Sequence, residues 1–168
     1  MATGLLNTGS YAMTANAVLG LALVFGGLAQ LVAGFVALSK GEIFAGSAFV
    51  SYGSFWMAFF TMVAILPSYH ISPAPHDILA FWVIWTLITI TFTINAPRHG
   101  LGVSATFILL TIAFVLLDIT QWMTINGTTN TGFSTAVGWE IFLTGLVAWL
   151  TATAVITNAN YGRRLIPL

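Results

Sequence analysis

Asp118 is the one acidic residue well inside an apolar stretch of this chain, and Thr111 lies seven residues before it on the same helical face, flanked by Phe114 and Gln121. A carboxyl buried among apolar residues marks a functional site by default. Two readings stand open: a neutral Asp118 donating a structural hydrogen bond, or a proton carrier or gate. Gln30 interrupts a stripe of small residues, Ala22, Gly26 and Gly34, at four-residue spacing. Its amide serves either an interhelical hydrogen bond or a solute pathway. Ser47, Ser51, Tyr52 and Ser54 cluster in the next apolar stretch. Serine can satisfy itself on the carbonyl four residues back. A deep tyrosine needs a partner for its hydroxyl, and Gly53 beside it lets another helix or a solute come close.

Other chemistry is scarce. With no cysteine there is no disulfide, no thiolate metal site and no thiol nucleophile. His70, His76 and Asp77 read as a solvated outer loop rather than a metal site, and Glu42 and Glu140 as interfacial. No metal or cofactor is expected. Nor is an enzyme: there is no His-Glu-x-x-His or Gly-x-Ser-x-Gly motif, and all three histidines lie outside the apolar stretches.

The elements that must position these groups follow from composition. Only 5% of the 168 residues are charged, 58% are hydrophobic, and mean hydropathy is +0.98. Four basic and four acidic residues cannot cover a water-facing surface. The same shortage of basic residues excludes a nucleic-acid binder. The reading is an all-α integral membrane protein, residues 1–168 forming one transmembrane domain.

A hydrocarbon layer about 30 Å thick needs roughly 17 to 25 apolar residues per helix. Five stretches qualify: Asn16–Leu38, Phe44–Leu66, Ile78–Ile94, Val103–Met123 and Ala136–Thr157. They are separated by turn-rich segments at 39–41, 67–75, 97–100 and 126–132. The runs lack the alternation of a transmembrane β-barrel.

Lys40, Arg98, Arg163 and Arg164 follow the first, third and fifth stretches, and no Lys or Arg follows the second or fourth. The basic side is cytoplasmic, which places the C-terminus inside, as expected for a multi-pass protein of the plasma membrane. Residues 1 to 14 lack the features of a signal peptide and are too polar and short to span; they read as the tail of a missing segment or as an outer stub. Gly26, Gly27, Gly34 and Gly53 are expected at helix contacts, since small residues let helices approach closely in lipid.

The run Phe25-Gly26-Gly27-Leu28-Ala29-Gln30-Leu31-Val32-Ala33-Gly34, with Lys40-Gly41 and Ala48-Phe49-Val50-Ser51-Tyr52-Gly53-Ser54-Phe55-Trp56, resembles the acetate uptake transporter family, succinate–acetate permease type. The resemblance continues through Trp85, Thr89, Leu110-Thr111, Phe114, Gly138-Trp139 and Ala148 to the tail Tyr161-Gly162-Arg163-Arg164. It implies a six-helix subunit in a homo-hexamer, each subunit with a pathway for small carboxylates such as acetate and succinate. By this resemblance Tyr52 and Leu110 form the constriction. Gln30 matches a glutamine in a family span, and Ala148 a small residue linked to solute size. Here the chain begins near the end of the family's first helix, with Leu5-Leu6-Asn7 resembling its last turns, so five full helices plus an N-terminal partial helix are expected. Asp118 stands where the family commonly has an apolar residue.

No fixed cation lies inside any of the five stretches, so an anion must be held by neutral donors: Gln30, Ser51, Tyr52, Ser54 and Thr111. Such bonds to a charged partner are worth about 1.5–3 kcal/mol each, which suits weak, successive binding and fast passage, with or without a coupled proton. An ammonium or ammonia exporter, with an ionised Asp118 attracting the cation, is the alternative in the same family. A non-transporting membrane scaffold or sensor is the alternative outside transport.

Overall fold

The computed structural model describes residues 15–167, and among them every regular element is helical. Five helices are long and apolar enough to cross a membrane: α1 Ala17–Ser39, α2 Ile43–Ser68, α3 Pro75–His99, α4 Leu101–Ile125 and α5 Thr131–Tyr161. The partial helix expected before α1 falls on residues 1 to 14, outside the described residues. The buried side chains are mostly small or aromatic, such as Ala48, Ala113, Ala154, Tyr52, Phe55, Phe107 and Phe114. Large aliphatic and aromatic groups such as Phe25, Phe35, Leu101 and Ile156 are exposed. That is how helices pack when lipid, not water, surrounds them.

Two helices run further than their apolar stretches. α3 begins at Pro75, where a missing N–H costs nothing, and the Asp77 carboxylate accepts the Ala74 N–H at 3.0 Å. His76 and Asp77 therefore belong to the first turn of α3, not to a loop. α5 begins at Thr131 because Asn130 caps it, its Oδ1 accepting the Phe133 N–H at 2.9 Å. The polar residues Thr131–Thr135 become helical turns, and Glu140 comes to lie within the span rather than at its end. α5 stops at Gly162, whose φ of 62° is left-handed. Beyond it the tail is tied back: Asn158 Oδ1 accepts from the Leu165 and Ile166 N–H groups at 2.7 and 3.0 Å, and its Nδ2 donates to the Ile166 carbonyl at 2.9 Å.

The described residues fall into two compact units, 15–78 and 79–167. In the first, α1 and α2 form an antiparallel hairpin joined through Gly41 (φ 81°). Their backbones touch at four glycines. A Cβ on Gly34 would stand 2.6 Å from the Val50 nitrogen and 3.0 Å from the Gly46 carbonyl, and one on Gly53 would stand 3.0 Å from the Gly27 carbonyl. Gly27 and Gly34 are seven residues apart, as are Gly46 and Gly53. Gly26 lies beside this line, against the Trp56 indole.

The expected four-residue stripe through Gly26 is displaced because α1 is π-helical over Ala22–Ala29. A π turn steps five residues, so the buried line runs Ala22, Gly27, Gly34. A second π turn, Thr61–Ile65, lies in α2.

In the second unit, α3 and α4 are joined by hydroxyls and rings. Phe92 stacks on Phe107 at 5.6 Å and Trp82 meets Phe114 at 6.2 Å. α5 packs on α4 at Gly102, where a Cβ would stand 2.7 Å from Thr151 Oγ1.

Candidate functional site

The expected pathway residues divide between the two units. On the α1–α2 hairpin, Tyr52 is buried with 8% of its surface exposed. It sits beside Gly53, whose Cα approaches the Leu31 nitrogen so closely that a Cβ would stand 2.7 Å away. Gln30 thus adjoins this contact on α1 and Tyr52 adjoins it on α2, at one level of the hairpin. Gln30 is also the first α-helical residue after the π segment of α1. Widened turns of this kind recur at functional sites.

The hydroxyl inventory decides which donors are free. Ser54 gives its proton to the Val50 carbonyl at 2.8 Å. Ser51 and Gln30 are half-buried, and neither side chain has a hydrogen bond among the described residues. Ser51 Oγ and the Gln30 amide are therefore uncommitted among the described residues.

In the second unit the candidates are tied to α3. Thr111 Oγ1 lies 2.7 Å from Thr93 Oγ1, and Thr93 Oγ1 also lies 3.0 Å from the Phe107 carbonyl. Asp118 Oδ2 lies 2.7 Å from Thr86 Oγ1. Thr86 and Thr93 are seven residues apart, matching Thr111 and Asp118, so α3 and α4 meet at two polar rungs. Leu110 and Ala148 are half-buried on α4 and α5.

Glu140 mirrors Asp118 in one respect. Its Oε1 accepts from Thr144 Oγ1 at 2.9 Å, while Glu140 Oε2 and Asp118 Oδ1 are buried without a hydrogen-bond partner. Sequence reasoning picked out Asp118 and Thr111 but missed Thr86, Thr93 and Gly46. The available signal was the threonine run of α3, Thr86, Thr89 and Thr93, at three- and four-residue steps along one face.

Basic residues stay at the helix ends. Lys40 follows α1, Arg98 lies in the 3₁₀ turn that ends α3, and Arg163 and Arg164 follow α5. Among the described residues no three His, Asp or Glu side chains converge as metal ligands. The α1–α2 candidates thus offer hydroxyls, a ring and an amide, and the α3–α4 candidates offer hydroxyls, rings and a carboxyl.

Comparison with known proteins sets this arrangement in a family. The chain is 32% identical over 169 residues to the succinate-acetate/proton symporter SatP of Escherichia coli K12, covering 96% of this chain and 84% of that protein. It is 30% identical to ammonia transport outward protein 2 of Saccharomyces cerevisiae, over 85% of this chain and 51% of the yeast protein. It is 29% identical to acetate permease A of Emericella nidulans, over 91% of this chain and 55% of the fungal one. The solved structure of the bacterial acetate channel SatP superposes with a TM-score of 0.88 at 26% identity, covering 98% of this chain and 88% of that one. These relatives are transporters and a channel. Five apolar helices, the glycine-packed hairpin and the Tyr52 level thus sit in a shared fold, and with residues 1–163 matched by the family's sequence model, the chain belongs to the GPR1/FUN34/yaaH family.

Proposed function

We propose that this protein moves small carboxylates, the monocarboxylate acetate first and the dicarboxylate succinate second, across the plasma membrane along a narrow path lined by neutral donors. The observation that supports this reading is the close Gly53–Leu31 contact, which is flanked in sequence by buried Tyr52 on α2 and by Gln30 on α1, in a fold shared with an acetate channel. Tyr52 and Leu110 form the constriction, and Ser54, Thr111 and Ala148 line the approach. With no basic residue inside a span, acetate is held by hydrogen bonds alone, at about 1.5–3 kcal/mol each, so binding is weak and release is fast.

The whole chain acts as one transmembrane domain in a homo-hexamer, with the basic loops and the C-terminus cytoplasmic. It works without cofactor and performs no enzymatic step. A proton accompanies the carboxylate, with Asp118 as its carrier or gate.

The test is uptake of labelled acetate by proteoliposomes. Tyr52→Ala and Leu110→Ala are each expected to change the flux several-fold. Unchanged flux in both sinks the site assignment.

The similarity to the yeast ammonia transport protein, with the unpartnered buried oxygen of Asp118, favours ammonium as the second reading. Ammonium that competes with acetate in the same vesicles supports it; ammonium without effect removes it.

A further inference from the structure

Thr86 and Asp118 share a short contact that two proton arrangements satisfy. Thr86 Oγ1 lies 2.7 Å from Asp118 Oδ2 and 3.1 Å from the Trp82 carbonyl oxygen, one turn back on α3. A threonine hydroxyl has one proton to give, so it cannot serve both acceptors at once. With Asp118 ionised, Thr86 donates to Oδ2 and leaves the Trp82 carbonyl. With a proton on Oδ2, Asp118 donates to Thr86 Oγ1, and Thr86 turns its own proton to the Trp82 carbonyl. The heavy atoms need not move. That second arrangement is how other threonines of α3 and α4 sit: Thr89 donates to Trp85, Thr91 to Leu87, Thr106 to Gly102 and Thr120 to Leu116.

We propose that Asp118 and Thr86 form a proton-binding site within the α3–α4 pair, at which proton uptake by Asp118 reverses the Thr86 hydroxyl from the carboxylate to the Trp82 carbonyl. The proton is delivered from solvent as a hydronium ion, whose O–H bond breaks to leave water as the new O–H bond forms at Oδ2; Thr86 keeps its own O–H bond and only turns it. Asp118 Oδ1, buried and unpartnered, is then a neutral carbonyl oxygen, far cheaper to bury than half of a charged group. From α3 the carboxyl meets a hydroxyl, and the titratable groups of that helix, His76, Asp77, Arg98 and His99, lie in its first and last turns. From α5, the other helix packed on α4, the one carboxyl is Glu140, whose Oε1 is held by Thr144. A role for this site in transport rests on the carboxylate reading above, whereas the site itself does not.

The test is infrared difference spectroscopy of the purified, reconstituted protein across a pH titration, without acetate. The wild type is expected to show the carbonyl stretch of a protonated carboxylic acid, lost as pH rises. Asp118→Asn is expected to remove that band. Thr86→Val is expected to shift its frequency, and Thr86→Ser to restore it. Three results overturn the proposal: no titrating band in the wild type, a band that survives Asp118→Asn and disappears in Glu140→Gln, or a frequency unmoved by Thr86→Val. A protein that shows the expected bands yet carries no acetate keeps the proton site and overturns the transport reading.

Discussion

Gly53 of α2 lies against Leu31 of α1 so closely that a Cβ on the glycine would stand 2.7 Å from the Leu31 backbone nitrogen. No side-chain rotation relieves such a contact, because the obstacle is main chain. Only glycine permits this spacing.

Gly53→Ala and Gly34→Ala are each expected to destabilise the protein by about 1–3 kcal/mol, the usual range for overpacking. The measurement is the midpoint of thermal unfolding in detergent. Gly20→Ala serves as the control, since nothing lies within 4 Å of a Cβ there. Equal midpoints for all three variants would contradict the close packing.

The Thr93–Thr111 rung has a measurable coupling. Valine at either position removes a hydroxyl while keeping the branched shape. A double-mutant cycle is expected to return about 0.6 kcal/mol, and no more than about 1.7, as for hydrogen bonds between membrane helices. Pairing Thr93→Val with Thr120→Val should return nothing, because the Thr120 hydroxyl goes to its own helix at Leu116.

Asn158→Ala frees the tail by removing three hydrogen bonds, each worth about 0.5–1.5 kcal/mol net. Trypsin is expected to cleave after Arg163 and Arg164 several-fold faster in this variant than in the wild type. Unaltered tail cleavage would mean that Asn158 does not hold it.

Orientation can be read with single cysteines, because the chain has none of its own. Thr128→Cys is expected to react with an impermeant maleimide on intact cells, and Arg163→Cys only after permeabilisation. The reverse pattern would invert the proposed topology.

The five spans were legible because lipid thickness demands long apolar runs, and those runs show directly in the residue order. The start of α5 was not legible from hydropathy. Thr131–Thr135 are polar, and what makes them helical is the Asn130 cap, a local geometry hidden inside an Asn/Gly/Thr-rich segment. Gly34 and Gly53 announced close packing, while Gly46, in the first turn of α2, lay outside the stripe that drew attention. The stripe itself was mis-phased by the π turn at Ala22–Ala29, which no residue type signals. Asp118 stood out as a carboxyl in an apolar stretch, but its partner did not. Choosing Thr86 over the other threonines of α3 depends on how two helices far apart in sequence are rotated toward each other.

Equal spacing on both helices of each pair has a consequence for vertical position in the bilayer. Lipid tails exert almost no sorting force between two apolar helices, so one could slide along the other at little cost. A slide of one turn, about 5.4 Å, parts both contacts of a pair at once. A slide of seven residues, about 10.5 Å, keeps one and strands the other. Gly27 and Gly34 against Gly53 and Gly46, and Thr86 and Thr93 against Asp118 and Thr111, thus act as two notches on each rail, setting the depth at which the two helices of each pair stop against one another.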